Sequence, residues 1–362
     1  MASTEPVTLC VINYNGEQFL PETLDAALAQ EPGFAEALLI DNASTDDGLA
    51  VVRERYPAIR IVPLAENRGP GAARNAGLRT ATHDRILFVD NDVTLAPGCV
   101  RQLGEALDEA HLAAVAMPRV LYADDPERIQ YEGATCHYLG LMTPDRADQR
   151  VTNADDATRV TGSLISACFL TDRRRLTRVA PFDEDFFIYL EDHDFGLRIR
   201  LAGGTLLAVP RAVCRHREGT AGLSLRRTGR YESTRILGHM RNRWIVLLKN
   251  CQLQTIIKLS PMLAVYELFQ LGGALKKGWW REWTQAVSWT VTHLTPIHRR
   301  RRQVQRSRTV RDREILTGGP LPFTEHLARG RLENAARRTL DRLAVSYWRM
   351  IRRWLCPPLP ST

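Results

Sequence analysis

The chain has 362 residues, of which 44% are hydrophobic and 25% charged, with a net charge of +8. That balance excludes a disordered polar chain and leaves room for one large domain plus an addition, or for two domains. Seven cysteines, at 10, 99, 136, 168, 214, 251 and 356, include no CxxC pair, which argues against a disulfide scaffold and fits a reducing cytosol.

The start of the chain, MASTEPVTLCVINYN, has no basic segment before its first apolar run, so that run reads as a strand rather than a secretion signal. From Val7 to about Val120, short apolar runs alternate with helical stretches: VTLCVINYN then FLPETLDAALAQ, ALLIDNAS then DDGLAVVRERY, IRIVPLAEN then PGAARNAGLRTA, RILFVDND then PGCVRQLGEALDEA, and LAAVAMPRV. Runs without polar alternation, each followed by an amphipathic segment, predict a mostly parallel open α/β sheet with helices on both faces. Ligands in such sheets bind beyond the carboxyl ends of the strands. Here those ends read Asn13-Tyr14-Asn15, Asp41-Asn42, Glu66-Asn67 and Asp90-Asn91-Asp92.

Past residue 120 the regularity fades through YADDPERIQYEGATCHYLG and resumes with TGSLISACFLTDRRRL. A helix is predicted at about 190–202, stopped by Gly203-Gly204. TLLAVPRAVCRHREG then reads as a pair of short strands ending at His216, before Gly219. Residues 259–275, LSPMLAVYELFQLGGAL, form an apolar run in which Pro261 follows Ser260 as a first helical residue follows its cap. The run is short for a membrane span and contains Glu267, so it reads as a helix lying in an interface or packed in a core. Lys276, Lys277, Trp279, Trp280, Arg281 and Trp283 follow, a mixture suited to a headgroup region. Residues 281–362 hold 17 Arg and 6 Asp or Glu, hence +11 against −3 for the first 280, and end in a PPLP tail. An anionic membrane or a polyanion would meet this part first. The run at 299–313 has no interleaved aromatics for base stacking, so no nucleic acid is expected.

Carboxylates at the end of strand 84–92 have two readings. They can hold a hard divalent cation together with substrate phosphates, or form an Asx turn or cap for a helix starting near Pro97. Asp41 can accept hydrogen bonds from a nucleobase or ribose, or start a turn while Ser44 or Thr45 caps the next helix. The Asn42-Ala43-Ser44 sequon reads as chance. ENRGPGAARNAG leads into a helix whose free N–H groups suit an anion. It has Arg74 where GxGxxG needs its third glycine, and no GK[ST], so neither a dinucleotide fingerprint nor a P-loop is supported. Glu191 and Asp192 sit at a helix start, where acids are stabilised. They can support later arginines, as Asp194 can Arg198 at i+4, or one can act as a general base. Of His193 and His216, the second, at a strand end, is the better metal candidate.

Taken together these segments resemble the inverting family 2 glycosyltransferases with a GT-A fold. The resemblance rests on VINYNGEQFLPETLDAALAQ, IDNASTDD, ENRGPGAARNAGL, FVDND, TGSLISACFL, YLEDHDFGLRIRLAGG and CRHREG, in the family's order over about residues 7–250. It implies a glycosyltransferase domain at 1–250, with a nucleotide-binding half to about 120 and an acceptor half at about 121–250. Residues 251–362 would be a helical, basic, membrane-associating region. It also implies that Asn13 and Asp41 lie by the base and ribose with Arg74 nearby, and that Asp90 and Asn91 contact the nucleotide sugar. Asp92 would ligate Mg2+ or Mn2+, assisted by His216. Asp192 would deprotonate the acceptor hydroxyl, and Glu191 would help position it.

Within the family, KNCQLQTIIKLSPMLAVYELF and HRRRRQVQRSRTV resemble bacterial enzymes of surface-polysaccharide assembly, including rhamnosyltransferases, that dock on the inner face of the cytoplasmic membrane. The expected partners are a nucleoside-diphosphate sugar, a glycan or lipid-linked acceptor and an anionic membrane surface. The competing reading is a catalytically silent membrane-associated scaffold that keeps the fold; retention of the DND, ED and His216 set argues against it.

Overall fold

The structure, a computed structural model, describes residues 5–151, 156–217, 233–322 and 330–355. Gly219, Cys356 and the PPLP tail lie outside the described residues. The strands β1 (Val7–Asn13), β2 (Glu36–Asp41), β3 (Arg60–Pro63) and β4 (Arg85–Asp90) are parallel, in the spatial order β3-β2-β1-β4. Successive residues of β1 and β4 are buried whichever way they point, the pattern of strands covered on both faces. The crossovers run through α1 (Leu20–Leu28), α2 (Gly48–Arg55) and α3 (Gly69–Thr80). Helix α1 shows the pattern: Leu20, Thr23, Leu24 and Ala27 form its buried stripe at i, i+3, i+4 and i+7. Helix α2 begins at Gly48 after Asp47, so neither Ser44 nor Thr45 caps it; Ser44 bonds to Asp41 instead.

The sheet continues through β5 (Val93–Leu95), helix α4 (Cys99–Glu109), β6 (Ala113–Tyr122), β7 (Ile129–Tyr131), β8 (Ala134–His137), β9 (Leu141–Pro144), β10 (Arg159–Thr161), β11 (Cys168–Asp172), helix α5 (Glu191–Leu201) and β12 (Thr205–His216). Eight strands lie in the order β10-β12-β6-β11-β4-β1-β2-β3, with β5 on β12 and β7 on β6. Strand β11 intercalates antiparallel between β4 and β6, which makes the sheet mixed rather than wholly parallel. The segment expected to be two short strands is one, β12, with its register shifted between Val209 and Val213. Pro210 supplies no N–H to the ladder, and a bulge absorbs it without ending the strand.

The C-terminal part is helical: α6 (Ser233–Asn250), α7 (Leu253–Lys277), α8 (Trp280–Thr292), α9 (Leu294–Ser307), the short α10 (Asp312–Ile315) and α11 (Arg331–Ile351). A two-residue strand, β13 (Leu316–Thr317), adds parallel to β8. These helices do not form a core of their own. Leu197 and Leu201 of α5 share one buried cluster with Ile245 of α6, Leu259 and Leu263 of α7, Ile297 of α9 and Leu340 of α11. The back of α5 is thus seated on the helical region, and burial of each such leucine or isoleucine contributes about 1.5–3 kcal/mol.

Pro261 is not the first residue of its helix: α7 runs straight through it. A proline leaves the carbonyl four residues earlier without its N–H donor. The Ser260 hydroxyl donates to that carbonyl, Ile257 O, at 2.8 Å. Among the described residues no helix is long and apolar enough to cross a membrane.

Candidate active site

The carboxyl ends of β1, β2 and β4 are stitched together by side chains. Asn91 Nδ2 donates to Asn13 Oδ1 at 2.8 Å, and Asn13 Nδ2 donates to Asp41 Oδ1 at 2.9 Å. Asp41 also accepts from the Ser44 amide and hydroxyl at 3.1 and 2.5 Å. Asn13, Asp41 and Asn91 are all buried, so the chain of bonds fixes the rim of the sheet from within. Gly16 lies against this knot, and a Cβ there would come within 2.2 Å of Asn91 Nδ2. Asn42 is equally committed: its amide donates to Asn67 Oδ1 at 2.9 Å and its oxygen accepts from the Arg68 N–H, which leaves no exposed amide for the sequon.

Arg74, on α3 and buried, joins two segments far apart in sequence. Its Nη2 donates to Asp90 Oδ1 at 2.8 Å and its Nη1 to Glu191 Oε1 at 3.1 Å. Burial works against the guanidinium charge, but Asp90, Glu191 and Asp192 outweigh it and raise its pKa. Glu191 is pushed up to about 8, first by burial and then by the charge of Asp192, against the pull of Arg74. Its Oε2 has no hydrogen-bond partner among the described residues.

Asp192 opens α5 beside β11. Its Oδ2 accepts from the Ser166 amide at 2.8 Å and the Ser166 hydroxyl at 3.0 Å, while Oδ1 accepts from the His193 amide at 2.7 Å. The next two residues of the helix are structural. His193 is buried between Ser163 Oγ and Cys136 Sγ, with its pKa lowered by burial to about 4. Asp194 pairs with Arg198 at 2.9 Å, the i+4 support its spacing suggests, and with Lys249 at 2.9 Å.

Strand pairing brings His216 to Asp92. His216 stands opposite Val93 of β5, and the Arg217 N–H donates to Asp92 O at 3.1 Å. The imidazole Nδ1 lies 2.8 Å from Gln130 Oε1, and Nε2 lies 3.3 Å from Asp92 Oδ1. An amide oxygen only accepts, so this contact puts the ring proton on Nδ1 and leaves the Nε2 lone pair facing a carboxylate. Two electron-pair donors at that separation call for a proton or a cation between them, and the pair fits a divalent ion on those grounds. Among the described residues no three His, Cys, Asp or Glu side chains converge as a complete ligand set, so an ion held here would need its other ligands from substrate phosphates or water.

The structure therefore gathers Asp90, Glu191 and Asp192 around Arg74, Asn91 with Asn13 and Asp41, and Asp92 with His216. Two contributors lie outside the sequence-predicted set, Ser166 and Gln130, and the bridge that Arg74 makes between Asp90 and Glu191 is a contact the sequence does not show. A polar residue inside an apolar run, as Ser166 is in TGSLISACFL, was the available signal.

Residues 8–173 match the model of the glycosyl transferase family 2. That segment is a family 2 glycosyltransferase domain. This glycosyltransferase is 25% identical over 268 residues to the N-acetylglucosaminyl-diphospho-decaprenol L-rhamnosyltransferase of Mycobacterium tuberculosis, covering 67% of this chain and 84% of that protein. It is 37% identical over 105 residues to the succinoglycan biosynthesis protein ExoO of Rhizobium meliloti, 29% of this chain and 30% of ExoO. The crystal structure of GalNAc-T7 with UDP, GalNAc and Mn2+ superposes with a TM-score of 0.53 at 15% identity, over 68% of this chain and 48% of that one. The last likeness bears on the fold alone, and the glycosyltransferase has the GT-A fold expected for its family.

Proposed function

We propose that the enzyme moves a hexose, rhamnose being the leading candidate, from a nucleoside-diphosphate sugar to a hydroxyl of a glycan or lipid-linked acceptor, with inversion, in cell-surface polysaccharide synthesis. The observation that carries this reading is the Arg74 bridge, which holds Glu191-Asp192 against the Asp90-Asn91-Asp92 strand end. Donor and acceptor chemistry thereby meet at one rim. In this reading the nucleotide-binding half runs to about 120, the acceptor half to about 250 and the basic helices lie beyond.

In this reading Asn13, Asp41, Asp90 and Asn91 shape the nucleotide-sugar pocket, and Arg74 acts through the carboxylates it holds. Asp92 and His216 would hold Mg2+ or Mn2+, which supplies positive charge against the leaving diphosphate. Asp192, steadied by Ser166, takes the proton from the attacking hydroxyl. Glu191 fixes the start of α5 against Arg74.

The partner beyond the substrates is an anionic membrane surface at the inner face of the cell membrane. The solvent side of α7 presents Leu253, Ile257, Pro261, Val265, Leu268 and Leu275, all exposed, along one stripe. Trp280 and Arg281 follow at its end, with Lys276 and Lys277 just before them. An apolar stripe bordered by cations and indoles complements a bilayer with acidic headgroups.

The test is a panel of TDP-, UDP- and GDP-sugars with Mg2+ or Mn2+, read by thermal shift and by slow donor hydrolysis. One class of donor is expected to stabilise the protein and be hydrolysed. If none does, and Asp92→Ala leaves every glycan readout unchanged, the reading is wrong.

A further inference from the structure

The backbone just before Glu191 is held in a conformation its residues disfavour. Phe187, Tyr189 and Leu190 have φ of 58°, 68° and 64°, in a region that bulky side chains avoid. At Phe187, with ψ of −72°, the chain makes a γ-turn closed by Ile188 N–H donating to Phe186 O at 2.7 Å. This is the rare, strained γ form. Such geometry persists only where the surroundings over-determine it.

One face of α6 does so. Asn242, with 0% of its surface exposed, aims its amide nitrogen at three carbonyls of the turn: Phe186 O at 3.0 Å, Ile188 O at 2.9 Å and Tyr189 O at 2.7 Å. Arg241 donates to Asp185 O at 2.9 Å and Phe186 O at 2.7 Å. One turn earlier, Gly238 lets the helix approach: a Cβ there would lie 3.2 Å from Ile188 O and 3.1 Å from the Tyr189 ring. From the opposite side Gly69, at the start of α3, meets the Phe187 carbonyl, which a Cβ would approach to 1.8 Å. The turn is gripped between the helix that carries Arg74 and a helix of the C-terminal half.

Asparagine is a poor residue for a helix interior, and a buried amide needs partners. Asn242 finds them in the turn. The turn in turn sets where α5 begins, since Leu190 O accepts from Asp194 N–H at 2.9 Å in the first bond of that helix. Were residues 187–190 to relax to negative φ, the chain would leave the turn in another direction and Glu191 would part from Arg74.

We propose that Asn242 and Arg241 are positioning residues for the transfer reaction, holding the 186–190 turn in its strained form so that Glu191 and Asp192 stand at the rim of β4. This rests on the reading of Asp192 as the base. The clamp belongs to α6, the last helix of the 121–250 half, so that half carries both the two acids and the residues that hold them in place.

The experiment compares Asn242→Ala with the parent enzyme, using Mn2+ and whichever sugar nucleotide of the panel is hydrolysed. The kcat of hydrolysis should fall by about tenfold to a hundredfold, the scale of a misplaced catalytic group, with donor KM nearly constant. Amide exchange across 186–195 should quicken while that of β1 and β4 does not. Adding Phe187→Gly, which adopts φ of 58° freely, should restore part of the lost kcat, which a merely structural role would not do. Where Asn242→Ala does not yield folded protein, Asn242→Ser takes its place under the same criteria. Unchanged kcat, or a loss matched by an equal rise in KM, or no rescue by glycine, overturns the proposal. Asp192→Asn is run alongside: if it stays active the base assignment falls, whereas an inactive Asp192→Asn beside an unimpaired Asn242→Ala removes the clamp alone.

Discussion

Arg74 donates to Glu191 across 117 residues of sequence, and it is this bond, at 3.1 Å, that ties the start of α5 to the carboxyl end of β4. Because the same guanidinium also holds Asp90 at 2.8 Å, replacing it strands the Asp90 carboxylate and the Glu191 carboxyl group at once. Breaking a buried ion pair from one end costs about 3–5 kcal/mol. Arg74→Ala should therefore lower stability by about 3 kcal/mol or more in urea unfolding and abolish donor hydrolysis. Arg74→Lys should recover little, because one ammonium cannot span both partners as the fork does. A fully active Arg74→Lys would mean that a point charge suffices.

The buried groups imply a stability optimum in mildly acidic solution. Glu191 has its folded pKa raised to about 8, so the folded state keeps a proton that the unfolded chain releases near 4.3, and stability falls as pH rises through that window. His137 and His193 are lowered by burial to about 4 and His239 to about 3, so the unfolded chain takes up protons below about 6.5 that the folded state refuses. Stability due to these three is lost as pH falls from about 6.5 towards 3. Asp194, depressed to about 2 chiefly by Lys249 against the effect of its burial, adds a loss only below about 4. Melting temperatures measured across pH should peak near neutrality on the acid side, and Glu191→Gln should flatten the alkaline decline while leaving the acid limb in place. An unchanged alkaline limb would show that Glu191 titrates normally.

Gln130 should matter for metal affinity although it contacts no substrate in the proposed reading. It holds His216 Nδ1 at 2.8 Å and so fixes which ring nitrogen faces Asp92. Loss of such an outer partner commonly weakens metal binding about 10- to 100-fold. Gln130→Ala should raise the Mn2+ concentration needed for half-maximal donor hydrolysis by that order, with the rate at saturating Mn2+ largely retained. Asp92→Ala should not be rescued by any Mn2+ concentration, and a chelator should silence the parent enzyme.

What was legible in the sequence follows from the range of the forces involved. The strand ends at Asn13, Asp41 and Asp90 could be read because an apolar run that stops in Asx residues is a local signal. The α5 boundaries, Glu191 to Leu201 before Gly203, were legible for the same reason. Strand β12 was misread because Pro210 looks like a terminator, and only the partner strand β6 shows that a bulge carries the chain past it. Pro261 was misread as a helix start because the hydroxyl bond that lets α7 continue is invisible in a pattern of residue types. Ser166, Gln130 and Asn242 act on residues 26, 86 and about 55 positions away. Ser166 and Gln130 are marked locally only as polar residues between apolar ones, and Asn242, between Arg241 and Arg243, carries no local mark at all.

The exposed stripe on α7 gives the last expected outcome. Leu268 is 69% exposed and Ile257 61%, so changing them to glutamate removes no packing, and stability should move by no more than about 0.5 kcal/mol. Both changes would, however, put a carboxylate where the proposed docking needs hydrocarbon beside acidic headgroups. The double variant Ile257→Glu/Leu268→Glu should therefore lose co-sedimentation with phosphatidylserine-containing vesicles while keeping its melting temperature and its hydrolysis of free donor. Binding by the parent should weaken as salt rises, since each Lys or Arg near the surface contributes about 1 kcal/mol that ions screen. If the double variant still sediments with vesicles, the membrane contact lies elsewhere. If the parent ignores vesicles but self-associates, and the substitutions abolish that, the stripe is an interface between copies of the chain. Activity towards free donor separates either case from damage to the site, because the side of α7 that joins the cluster of α5, with Leu259, Met262, Leu263 and Tyr266, lies opposite the stripe.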